Sequence, residues 1–271
     1  MPELPEVETI RRGISPWVID QKVVAVVVRQ PRLRWPVPSN LSACLVGYAF
    51  SGVERRAKYL LLPNPAGCLL IHLGMSGSLR IVPSDTPPAA HDHVDIALES
   101  GRTLRLNDPR RFGAVLWIEG RPEDHALLAH LGPEPFAVEF TGAMLYARSR
   151  GRKLAVKNFI MDQRIVVGVG NIYASEALYR AGIHPMRAAG RVSRRRYAAL
   201  AEAVRQVLTA AIEAGGTTLR DFTDENGRPG YFSQRLLVYG REGQPCVHCG
   251  RPIRCETIGQ RSSYFCTRCQ R

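Results

Sequence analysis

Between Lys22 and Ile118 the chain is a succession of short apolar runs, "KVVAVVV" the first, interrupted by "LPNPAG", "PSDTPPAAHD" and "NDPRRFG". Runs of this length, rich in β-branched residues and bounded by proline, glycine and asparagine, predict strands, and their number predicts a β-sandwich. Ahead of them, Val7 and Ile10 recur at helical spacing behind Pro5, with Glu6 and Glu8 placed for the positive end of a helix. The stretch "LGPEPFA" from Leu131 concentrates proline and glycine and marks a linker. Beyond it the apolar positions take helical spacing. One helix is expected from Asn171, which can cap it after "VGVG", to near Gly182 ahead of Pro185; another is expected from near Ser193 to Gly215. There is no internal repeat and no long low-complexity tract.

Length and composition narrow the class. With 271 residues, 45% of them hydrophobic, the chain can bury a substantial core in one or two domains. Its longest apolar runs are too short to cross a bilayer, and its acidic start is the opposite of a secretory signal, so a cytoplasmic protein with no membrane partner is expected. The formal charge of +13 calls for a polyanionic partner, nucleic acid before membrane because no basic amphipathic anchor is present. Lysine occurs only at Lys22, Lys58, Lys153 and Lys157, against 33 arginines, which shortens the list of candidate lysine nucleophiles.

Four of the seven cysteines form C-x2-C-x16-C-x2-C at Cys246, Cys249, Cys266 and Cys269. Each C-x2-C pair can turn two thiolates toward one ion, and two pairs complete a closed tetrahedral site, so one structural Zn2+ is expected rather than a catalytic one. Disulfides are the alternative, disfavoured in a chain without an export signal. Cys255 lies between the pairs out of register, and Cys44 and Cys68 lie in strand-like segments; all three are expected to be non-ligands. Around Gly259 the sequence alternates as a hairpin carrying Arg251, Arg254 and Arg261, which would either enter a DNA groove or stand solvated on a zinc ribbon. Glycines leading into a helix at "VGVGN" suit a phosphate, although they match no nucleotide-binding fingerprint.

The helix that begins near Pro5 leaves Pro2 and Glu3 unexplained. Initiator methionine is normally removed before a residue as small as proline, which would make Pro2 a terminal secondary amine. Model α-amino groups titrate at about 7.7 to 8.0, so such an amine is partly uncharged near neutral pH and can form a Schiff base with a carbonyl carbon.

Taken in order, "PELPEVE" at the N-terminus, "HLGMSG" from His72, "NDPRRFG" from Asn107, "VGVGNIYASEALY" from Val167 and the terminal four-cysteine finger resemble the bacterial formamidopyrimidine-DNA glycosylases across nearly the whole chain. The resemblance implies an α+β multidomain protein. An N-terminal β-sandwich with an N-terminal helix would occupy residues 1–131, a helical domain with a helix-two-turn-helix element 132–240, and a four-cysteine zinc finger 241–271.

It also implies a base-excision-repair enzyme acting on double-stranded DNA that contains oxidised purines or abasic sites, working as a nucleoid-associated monomer. Pro2 would attack C1′ of the damaged nucleotide, and Glu3 would move protons as the sugar opens. β- and then δ-elimination would cut the strand. Glu6 matches a second family carboxylate at the site, with a purely helix-terminal role as the other reading. Met75 and Phe112 would wedge into the space of the extruded nucleotide and Arg110 would pair with the orphaned cytosine. Lys58, His72, Asn171 and Arg261 match phosphate contacts, Lys58 also serving the elimination, and Lys157 matches a lysine that contributes to handling the oxidised purine. The segment "TTLRDFTDENGRPGYF" from Thr217 matches a loop that closes over the flipped base.

Two alternatives stand beside this reading. An endonuclease VIII-type glycosylase for oxidised pyrimidines shares the proline and glutamate, but usually carries glycine where Leu4 stands. A non-catalytic DNA-binding zinc protein would share the charge and the finger.

Overall fold

The computed structural model describes residues 2–216 and 236–271. They divide into two compact units, one of residues 2–129 with 214–216 and one of residues 130–213 with 236–271.

The first unit opens with helix α1 (Leu4–Val18), followed by strand β1 (Val23–Val28) and the short helix α2 (Leu41–Leu45). Strands β2 (Glu54–Arg56), β3 (Tyr59–Asn64), β4 (Gly67–His72), β5 (Ser78–Pro83), β6 (Asp92–Leu98), β7 (Arg102–Asn107) and β8 (Ala114–Ile118) complete it. They form two four-stranded antiparallel sheets, ordered β1-β6-β7-β5 and β2-β3-β4-β8. Apolar residues of both sheets share one core, with Leu60, Leu69 and Val115 from one and Val94, Leu104 and Leu106 from the other. Val7, Ile10, Ile14 and Val18 of α1 close that core, so the sandwich expected from the sequence is present with its helix attached. Burial of this apolar face holds α1 in place; Pro5 falls in its first turn, where the ring costs no hydrogen bond.

The second unit holds helices α3 (Gly142–Ser149), α4 (Val156–Met161), α5 (Asn171–Arg180) and α6 (Arg194–Glu213), then strands β9 (Arg254–Ile258) and β10 (Arg261–Phe265). Helix α5 is capped by Gly170, with Asn171 as its first helical residue, where the sequence pattern had Asn171 as the cap. The Asn171 side chain is committed elsewhere, which leaves the cap position to a residue that needs only extended backbone. Strands β9 and β10 form the hairpin expected around Gly259. Its two-residue turn has positive φ at both Gly259 and Gln260, a geometry that matches the right-handed twist of the flanking strands. Arg251 precedes the hairpin rather than standing on it.

Candidate active site and zinc centre

The start of α1 gathers three of the expected residues. Glu3 and Glu6 are 2% and 1% exposed, and Pro2 beside them is buried. Glu6 Oε2 accepts the backbone N–H of Glu3 at 2.8 Å, tying up an N–H that the helix cannot satisfy and fixing the direction in which Glu3 enters the helix. Glu6 thus holds the backbone on which Pro2 and Glu3 sit. Gly216, at φ +85°, lies against the same side chain: a Cβ there would stand 3.2 Å from Glu6 Oε1.

Helix α1 is bound to the β2–β3 hairpin through Glu8 and Arg55. Glu8 accepts hydrogen bonds from Arg11, Arg12 and Arg55, and Arg55 Nη1 donates to the Ala57 carbonyl at 2.9 Å. Burial pushes the Glu8 carboxyl up, but the hydrogen bonds and charges of the surrounding arginines prevail and hold it at about 2. Ala57 adopts a left-handed φ of 55° in the turn that presents Lys58, itself only 7% exposed. His72 ends β4 opposite Tyr59, their rings 4.9 Å apart.

Burial, and then the charges of Lys58 and Arg34, push the His72 imidazole down to about 4. His72 Nδ1 accepts the Gly74 N–H at 3.1 Å, so the neutral ring carries its proton on Nε2 and offers an uncharged donor. An unfolded histidine titrates near 6.5. Between about pH 6.5 and 4 the unfolded chain binds a proton that folded His72 refuses, so this group destabilises the fold as pH falls through that window and adds nothing further below it. An NMR titration of the His72 ring should give a midpoint near 4; a midpoint at 6.5 would remove the desolvated environment.

The loops that carry Met75 and Phe112 come together through topology. Strands β4 and β8 are neighbours with His72 paired to Ala114, so the loops leaving them, 73–77 and 108–113, emerge side by side. Gly74, at φ +63°, lets them touch: a Cβ there would lie 2.4 Å from the carbonyl carbon of Phe112. Asp108, fully buried, accepts the Gly113 N–H at 2.7 Å and holds the second loop. Both apolar tips are presented outward, Met75 39% and Phe112 44% exposed, with the Arg110 guanidinium 4.8 Å from the Phe112 ring centroid. Arg110, Arg111 and Phe112 line a pocket of about 590 Å³ with Arg32, Leu33 and Arg34. Arg34 is a site residue that sequence reasoning missed; its only local signal is the basic and aromatic "RLRW".

In the second unit Lys157 is fully buried. Its ammonium donates to Asn171 Oδ1 and Ser263 Oγ, both at 2.6 Å, and to the Ser262 carbonyl at 3.2 Å, while Asn171 Nδ2 donates to Ser262 O at 3.0 Å. Lys157 thus stands behind Asn171, another of the expected DNA contacts, and is tied to it directly. An ammonium is buried only where its N–H groups find acceptors, and here they join the start of α5 to β10. Arg261, by contrast, is exposed at the head of β10.

The four Sγ atoms of Cys246, Cys249, Cys266 and Cys269 lie within 4.8 Å of one another, with 3.9 Å between Cys246 and Cys269 and 3.4 Å between Cys249 and Cys266. Tetrahedral zinc with bonds of about 2.3 Å needs sulfurs about 3.8 Å apart, so the four thiolates fit one ion. Cys255, Cys44 and Cys68 lie outside the cluster. The zinc module shares a small core with α5, built from Tyr179, Val238, Cys246, Ile253 and Cys266.

Residues 1–115 match the formamidopyrimidine-DNA glycosylase N-terminal domain, residues 131–223 the H2TH domain of the same enzymes, and residues 243–271 the zinc finger found in FPG and IleRS. The chain belongs to the formamidopyrimidine-DNA glycosylase family. The formamidopyrimidine-DNA glycosylase of Xanthomonas campestris pv. campestris is 58% identical, with all of both chains covered. Among solved structures, a complex of a Lactococcus lactis FPG mutant with Fapy-dG-containing DNA has a TM-score of 0.92 at 31% identity, covering 99% of each chain. A complex of MutM with DNA containing carbocyclic 8-oxo-G has a TM-score of 0.91 at 32% identity, again covering 99% of each. The chain is therefore a DNA glycosylase with one structural zinc. Among its described residues no helix is long and apolar enough to cross a membrane.

Proposed function

We propose that this glycosylase removes 8-oxoguanine and formamidopyrimidines from duplex DNA through an imine on Pro2, and then cleaves the strand by β,δ-elimination. The observation that carries this reading is the start of α1, where buried Pro2 is followed by two buried glutamates, one of which fixes the backbone of the other. The amine freed by removal of Met1 attacks C1′ and the oxidised base leaves. Glu3 supplies the proton needed at the ring oxygen as the sugar opens. The resulting iminium acidifies the C2′ hydrogens; loss of one expels the 3′ phosphate, and a second elimination expels the 5′ phosphate. Lys58 and His72, one cationic and one a neutral donor, serve the phosphates at this site, with Lys58 assisting elimination.

Extrusion of the nucleotide costs a few kcal/mol of stacking and pairing. Met75 and Phe112 suit that task, because apolar tips held outward by tightly braced loops can replace a base in the stack. Arg110 then meets the orphaned cytosine. Asn171, held by Lys157, and Arg261 contribute phosphate contacts from the second unit. We assign residues 1–131 to catalysis and 132–240 and 241–271 to DNA binding through helices and finger. The expected loop from Thr217 lies outside the described residues.

Borohydride added to protein and a duplex with one 8-oxoguanine opposite cytosine should leave a stable adduct on residue 2, with Met1 absent by mass spectrometry. An adduct on Lys58 would replace the nucleophile. Faster processing of thymine glycol than of 8-oxoguanine would reassign the substrate to oxidised pyrimidines.

A further inference from the structure

Four thiolates on one Zn2+ carry a net charge of −2, and in this finger two of the sulfurs are removed from water: Cys246 is 3% exposed and Cys266 fully buried. Buried anionic sulfur requires hydrogen-bond donors from outside the coordination sphere. The Tyr179 hydroxyl lies 3.1 Å from Cys246 Sγ, and Tyr179 is itself 8% exposed. A zinc-bound thiolate has no proton, so the hydroxyl is the donor.

Its placement is over-determined. One turn earlier on α5, Glu176 accepts the backbone N–H groups of Leu237, Val238 and Tyr239, each at 2.9 Å. Residues three apart share a helix face. Glu176 therefore anchors the chain leading into the finger, while Tyr179 meets the sulfur of its first ligand. Gln270 Nε2, donating to the Ile183 carbonyl at 2.9 Å, fastens the last turn of the finger to the chain just after α5.

We infer that Tyr179 is a positioning residue for the zinc: its hydroxyl donates to the Cys246 thiolate, sets how tightly the finger retains its metal, and couples the metal centre to α5. Removing such a donor typically weakens metal binding 10- to 100-fold.

The test compares Tyr179→Phe with Tyr264→Phe, which deletes the hydroxyl facing the non-ligand Cys255. Tyr179→Phe should transfer zinc to a chromogenic chelator with about 10- to 100-fold weaker retention, and the cobalt-substituted variant should show its thiolate charge-transfer band at longer wavelength, because the sulfur has become more electron-rich. Tyr264→Phe should change neither. Unaltered retention and an unmoved band in Tyr179→Phe overturn the inference, as does an equal effect in both variants, which would mean a general loosening of the finger. A measurement on the unmutated chain guards against misfolding. Biosynthetic 3-fluorotyrosine acidifies the hydroxyl and should move the cobalt band to shorter wavelength; a fixed band overturns the inference.

Discussion

Glu3→Gln should bind 8-oxoguanine duplex with affinity close to that of the parent and excise the base about 100 to 10,000 times more slowly in single-turnover assays, the range expected when one general acid or base is lost. The substitution keeps shape and removes the titratable proton. Glu3 is buried and its N–H is held by Glu6, so the amide takes the same position without disturbing the helix start. Since Pro2 is untouched, the variant should still be trapped by borohydride on DNA whose base is already missing. Turnover equal to the parent's would take Glu3 out of the mechanism, and loss of binding together with excision would make it a structural carboxylate.

Cys249→Ser should release most of the zinc and abolish tight DNA binding. Structural zinc contributes an apparent free energy of about 10 to 16 kcal/mol to modules of this kind, so the finger does not persist on its hydrophobic contacts alone. On the proposed reading, any phosphates the finger neutralises are then given back to counterions. The slope of log affinity against log salt should become shallower by about 0.9 for each such phosphate, and the partner of Arg261 is the first to be counted. Zinc content follows from metal analysis and the slope from binding isotherms at several salt concentrations. An unchanged slope with the metal gone would show that the finger does not touch DNA.

What was legible in the sequence was what depends on near neighbours. The sandwich strands announce themselves by short β-branched runs between turn residues, the α1 start by Pro5 and Glu6, and the zinc ligands by spacing that puts two sulfurs on one tight turn. What was hidden depends on pairing between distant segments. The loops of Met75 and Phe112 meet because β4 and β8 are adjacent, strands separated by three others in the chain. Nothing near Lys157 in the chain announces that Asn171, Ser262 and Ser263 surround its ammonium. Asp108 reads as a turn residue, although it holds the loop that carries Arg110 and Phe112. Tyr179 sits at an apolar position of a helical pattern, and no local signal distinguishes a hydroxyl that meets a thiolate from one that meets water.

The closeness of Gly216 to Glu6 bears on how the enzyme comes into being. Translation delivers the start of α1 first, yet the backbone lying against the Glu6 carboxyl arrives only after the whole of α6 has been made. A nascent chain that has just released the sandwich has the start of α1 but lacks the backbone that lies against Glu6. Completion of the surroundings of Glu6 is thus tied to synthesis of the helical segment: on the ribosome α3 to α6 precede it and the zinc finger follows it.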